Sequence, residues 1–135
     1  MTKKENIMDV LTRIGLKSCL DEDGDISFYY QLKCVYIIVS DDDEPYATLL
    51  YPHLYDIDEG EETLVLATCN KMTRELKLCK VYVDPSFKHA SSSFEFYYAN
   101  DEALELNLRQ SLNILGKVKT LFRQNMEMLG QDCEE

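Results

Sequence analysis

The order of periodic segments limits the fold of this chain more than any other feature. Thr2-Lys3-Lys4-Glu5 has capping-box spacing, and Ile7, Met8, Val10, Leu11 and Ile14 follow at helical intervals. With Gly15 as the stop, this predicts a helix over about 3–15. Ile26, Phe28 and Tyr30 then alternate with Ser27, Tyr29 and Gln31, which reads as a strand. Lys33 to Ser40 is apolar on both faces, as in a central strand covered on both sides, or covered on one side and used on the other, and its short link to the previous strand predicts a hairpin. Tyr46 to Tyr51 reads as a third strand that Pro52 ends or leaves at an edge.

The second half repeats the logic. Asp58 with Glu61 three residues on predicts a helix start, with the helix over about 59–74. A fourth strand is expected over about 76–83, a polar loop over Ser86 to Ser93, and a fifth strand over about 93–99. Asn100 or Asp101 would cap a closing helix of about 101–129. Its stripe is Leu104, Leu108, Leu112, Leu115, Phe122 and Leu129, with Leu106, Ile114, Leu121 and Met128 to one side. Gly116 inside it marks a close approach or a bend. The expectation is an α+β fold, α-β-β-β-α-β-β-α. It has a five-stranded antiparallel sheet with helices packed mainly on one face. The 135 residues fit a single domain, residues 1–135, with 1–2 and 130–135 frayed.

Charge and cysteines narrow the class. A net charge of −11 repels nucleic-acid phosphates, so no nucleic-acid partner is expected. No run of about 20 apolar residues is present, so no membrane partner is expected either. Met1 to Asn6 is polar and unlike a signal peptide. Cys19, Cys34, Cys69, Cys79 and Cys133 are odd in number and form no Cys-x-x-Cys pair. These features predict reduced thiols and a cytoplasmic location.

The search for chemistry finds little. Asp21 to Asp25 starts like an EF-hand loop, but Gly24 stands fourth rather than sixth and Leu32 occupies the twelfth position, where Glu is required. An acidic turn is the better reading, as it is for Asp41 to Glu44. His53 and His89 lack Cys or His at zinc spacing and read as surface residues. Cys69 and Cys79 fall on core faces, where thiols are inert. His89 near Ser91-Ser92-Ser93 is loop adjacency rather than a dyad, and no phosphate-binding glycine loop occurs. No catalytic residue, cofactor or metal is expected, and the protein reads as a non-enzyme.

Tyrosine is the more suggestive residue. Nine are present, mostly on predicted strands. Tyr29, Tyr82 and Tyr97 fall opposite the more apolar strand positions, where they would line an uncovered sheet face. Tyrosine combines large contact area with a polar tip, which suits a protein interface. It also simply favours strands.

The acidic turn Asp21 to Asp25 precedes the Phe28-Tyr29-Tyr30 strand, and Asp41 to Glu44 follows an Ile/Val strand. Ala67-Thr68-Cys69-Asn70-Lys71 then runs into Leu76-Lys77-Leu78-Cys79-Lys80-Val81-Tyr82. With these features and this element order, the chain resembles the bacterial YbjN family, assigned to sensory transduction regulation, within the type III secretion chaperone-like fold. The resemblance implies the fold, and for secretion chaperones of that fold small, acidic dimers that hold partly unfolded proteins. It implies no enzyme activity and no cofactor. Fold does not fix function.

The expected function is therefore a non-catalytic protein-binding module, chaperone-like or regulatory. It would act through the tyrosine-bearing face or the long closing helix, with a homodimer burying Leu106, Ile114, Leu121 and Met128. The alternative is a small-ligand sensor with a pocket between the sheet and the last helix. A weaker third reading is an acidic mimic that occupies a basic site.

Overall fold

A computed structural model describes the backbone of residues 1–134 and the side chains of residues 1–131. Cys133 and the end of the expected C-terminal fray lie outside the described side chains. The elements are α1 (Lys3–Arg13), β1 (Ser18–Leu20), β2 (Ile26–Tyr30), β3 (Lys33–Ile38) and β4 (Tyr46–Asp56), then α2 (Glu62–Glu75), β5 (Cys79–Val83), β6 (His89–Tyr97) and α3 (Asp101–Glu134). The sheet is antiparallel throughout, in the order β1-β2-β3-β4-β6-β5.

Local chemistry explains most boundaries. The Thr2 hydroxyl accepts the Glu5 amide at 3.1 Å and starts α1. Gly15, at φ +90°, ends it, with the Leu16 amide closing onto the Leu11 carbonyl at 2.9 Å. Gln31 and Leu32 both take positive φ, 49° and 65°, which gives the β2–β3 hairpin a turn twisted to match its strands. The Asn100 side chain accepts the Ala103 amide at 2.8 Å and caps α3.

Strand number and several boundaries depart from expectation. The sheet has six strands rather than five. β1 is a three-residue edge strand whose Ser18, Cys19 and Leu20 pair with Phe28, Ser27 and Ile26. It has no buried side, so it leaves no hydrophobic alternation to read. β4 continues past Pro52 to Asp56 because the ladder shifts between Tyr51 and Tyr55. Such a bulge leaves a position that needs no paired N–H. β6 begins at His89, inside the expected polar loop, and Ser91, Ser92 and Ser93 are buried between β4 and β5. α2 starts at Glu62 because Gly60, at φ +90°, holds a turn in which the Glu61 carboxylate reaches back to the Asp58 amide at 2.9 Å.

One face of the sheet carries the core. Ile26, Phe28, Val35, Ile37, Leu49, Phe94 and Phe96 pack with Ile7, Val10 and Leu11 of α1, Val65 and Met72 of α2, and Leu104, Leu108, Leu115 and Phe122 of α3. The three helices form a single layer over that face. Near the start of α3, the Asn6 amide group of α1 donates to Asp101 at 2.8 Å; further along, Lys71 of α2 donates to Asn125 at 2.6 Å. Gly116 is where α3 crosses the β2–β3 turn: a Cβ there would lie 2.7 Å from Gln31 Oε1.

The Ser111 hydroxyl is buried in this layer and has no hydrogen-bond partner among the described residues. Ser111→Ala removes an unpaired hydroxyl and adds the best helix former. The variant is expected to gain about 1 kcal/mol in denaturant unfolding; a loss of that size would mean the hydroxyl is satisfied.

Candidate functional site

Strand alternation and ladder register together decide what the uncovered face displays. The pairs Ser27–Tyr36, Tyr36–Leu50, Leu50–Ser93 and Ser93–Lys80 make one continuous row across five strands. Beside it runs a shorter row, Ile38–Thr48–Glu95, and beyond that the pair Tyr46–Tyr97. No helix of the core layer covers this side. Tyr29 is 75% exposed and Tyr97 67%, against 0% for Phe94 on the core side of the same strand as Tyr97.

A shallow groove of about 290 Å³ crosses the middle of the face, lined by Ile38, Leu50, Tyr82 and the stems of Lys80 and Glu95. Ser93, small and buried, forms its floor. One wall is a polar network centred on Glu95. Lys80 Nζ lies 2.7 Å from Glu95 Oε1, and the Tyr46 hydroxyl donates to Oε2 at 2.7 Å. The hydrogen bonds from Lys80 and Tyr46 hold the Glu95 carboxyl below its ordinary value, and the same bond raises Lys80. Tyr97 leans on Tyr46 with ring centroids 4.9 Å apart. The network is solvent-exposed and contributes little to stability, but it fixes side-chain positions on the face.

The three sequence-predicted tyrosines share this face without forming one cluster. Tyr29 pairs with Cys34 near one end, and Tyr97 pairs with Tyr46 at the other. Strand spacing and rise put the two more than about 20 Å apart. Tyr82 is half-buried on the edge strand β5, beside the groove. The groove residues Ile38, Leu50, Lys80 and Glu95 were not singled out by sequence reasoning. Alternation marks their side of each strand, but only the ladder register brings them together.

The helix positions divide. Leu106 and Met128 are 55% and 51% exposed, while Ile114 and Leu121 pack against the core. Met128 lies beside α2, with its sulfur 3.7 Å from Lys71 Nζ. The side stripe of α3 is thus partly absorbed within the chain. The space between sheet and α3 is filled by fully buried Leu49, Phe94, Leu108, Leu115 and Phe122. Cys69 and Cys79 are buried, which pushes their thiols up to about 11 and about 12. Both stay protonated near neutral pH and are poor nucleophiles. No described helix is long and apolar enough to cross a membrane.

No family model matches the chain, and no curated protein matches it in sequence. Among solved structures it is similar to YbjN from E. coli, described as "a putative transcription regulator". The likeness covers 97% of this chain and 94% of that one, with a TM-score of 0.67 and 9% sequence identity. The chain has the YbjN fold. At that identity the likeness speaks for architecture alone.

Proposed function

We propose that the chain is a non-catalytic regulatory module that binds a protein partner through the uncovered face of its sheet. The observation that carries this reading is the exposure of Tyr29, Tyr97 and Ile38 on one continuous sheet face, around an apolar groove. Aromatic and aliphatic groups with polar tips, set among fixed charges, suit a protein surface. The structural likeness to a protein described as a transcription regulator is compatible with it. A chain of net charge −11 is repelled by DNA phosphates, so regulation of that kind would run through protein contact.

A photo-crosslinking residue at Tyr97 or Ile38, in the cells that make the protein, should capture one partner reproducibly. With that partner purified, Tyr29→Ala and Tyr97→Ala are each expected to weaken binding about tenfold, as truncated interface aromatics do. Leu106→Ala and Met128→Ala, on the helix side, should leave it unchanged. The reverse pattern would move the interface to α3, and equal affinity for all four variants would end the proposal.

A further inference from the structure

The chain has two histidines, and the fold stacks them. His53 sits in the bulge of β4, and His89 opens β6 opposite Asp56. Their ring centroids are 4.1 Å apart with planes inclined by 26°. Asp84, just after β5, lies against them. Donor atoms of His53, Asp84 and His89 all lie within 4.8 Å of one another.

Each of the three is held by the backbone around it. His53 takes φ 55°, a left-handed conformation uncommon outside glycine and asparagine, and its amide donates to Ser91 Oγ at 3.1 Å. Bulges often re-aim a side chain, and here the strained residue brings its ring against His89. The Asp84 amide donates to the His89 carbonyl at 3.0 Å. Asp84 Oδ1 accepts the Ser86 hydroxyl at 3.0 Å and the Lys88 and His89 amides at 3.0 and 3.4 Å. These bonds all fall on Oδ1 and leave Oδ2 for another partner. His89 Nδ1 lies 2.9 Å from Asp56 Oδ1. That pairing occupies Nδ1 and leaves Nε2 for a metal, the arrangement in which outer carboxylates orient metal-binding histidines.

We propose that His53, His89 and Asp84 bind a divalent late first-row transition metal, with zinc the best fit, and that Asp56 orients His89 as the outer partner. Two imidazoles and a carboxylate are a common zinc donor set, which leaves a fourth position for water. Tetrahedral zinc places its donors roughly 3.3 Å apart, from metal–nitrogen lengths of about 2.0–2.1 Å. The present spread of up to 4.8 Å therefore closes on binding. His53 is exposed and supplies that movement by rotating its ring out of the stack. The site joins β4, β6 and the β5–β6 turn, and it stands whatever the tyrosine face binds.

The test uses the full chain, stripped with a chelator and dialysed, then titrated with zinc by calorimetry and with cobalt by visible absorption. One zinc per chain is expected, with cobalt bands of a nitrogen–oxygen site and no thiolate charge-transfer band. His53→Asn, His89→Gln and Asp84→Asn should each weaken binding at least about tenfold, and Asp56→Asn by about tenfold. Asparagine tolerates the left-handed backbone at position 53, so His53→Asn keeps the test decisive should a β6 variant fail to fold. Undiminished zinc uptake in folded His53→Asn would assign the metal to thiols or acidic turns and overturn the proposal, as would the absence of saturable uptake by the unaltered chain.

Discussion

Phe94→Ala is expected to destabilise the protein by about 4 kcal/mol, the cost of emptying a large buried aromatic site. Phe94 is fully buried on β6, between Leu49 of β4 and Cys79 of β5 in the ladder. The surrounding core is packed, with Leu49, Leu108, Leu115 and Phe122 fully buried in the same cluster, so the space would close only in part. For a chain of this length the melting temperature should fall by roughly 12–20 °C. Tyr97→Ala, three residues along the same strand, should cost less than about 1 kcal/mol, mostly from its contact with Tyr46. Thermal unfolding of the two variants measures the asymmetry of the sheet directly. Equal losses would mean that the tyrosine face is covered, and would remove the basis for placing an interface there.

Stability is also expected to fall steeply as pH rises from about 9 to 12. Burial holds the Cys69 thiol at about 11 and the Cys79 thiol at about 12, against 9.0 when free. Burial first, then the Glu61 carboxylate, raise the Tyr55 phenol from 10.0 to about 12. The Tyr55 hydroxyl donates to Glu61 and its ring packs on Phe122, so ionisation would disturb the α2–α3 end of the core. All three groups have folded values above their unfolded ones. Between the two values the folded state holds more protons than the unfolded state, so stability declines as pH rises. Their contribution is whole below pH 9, where the unfolded thiols begin to titrate, and is lost by about 12. At about 1.4 kcal/mol per pKa unit, the loss is on the order of several kcal/mol. Denaturant midpoints at pH 8 and pH 11 check it. Cys69→Ala with Cys79→Ala should flatten most of the decline, and an unchanged slope would place its origin elsewhere.

How much of this was legible in the sequence follows from what each element depends on. α1 announces itself through the Thr2–Glu5 cap and Gly15, and α3 through its leucine stripe and Asn100, because those signals act within one turn of chain. β2 and β3 show as alternating and continuous apolar runs since one side of each must be buried. β1 and the first half of β6 do not show. β1 is held by pairing with β2 and buries nothing. The serines of β6 carry little strand preference and become strand because β4 and β5 flank them. The polar loop expected over Ser86 to Ser93 was a reading of composition, and composition does not report a strand's place in the sheet.

The two candidate sites divide in the same way. Tyr29 and Tyr97 could be assigned to the exposed side of their strands from residue parity alone, since side chains alternate with period two. The groove through Ile38, Leu50 and Lys80 could not, because its residues come from β3, β4 and β5 and meet only through the ladder register. His53 and His89 lie still further from sequence reasoning. Pro52 marked the end of a strand in the sequence, whereas in the fold it lies within the bulge that brings His53 against His89 of β6. By itself the sequence determined the caps of α1 and α3, the buried stripe of α3, the buried side of β2, β5 and the second half of β6, and the α+β class, all consequences of local sterics and of the need to bury apolar surface. Tertiary structure decided the sixth strand, the register across the open face and the meeting of the two histidines. Those depend on pairing between distant strands, whose hydrogen bonds run between backbone groups common to every residue and so leave little trace in side-chain identity.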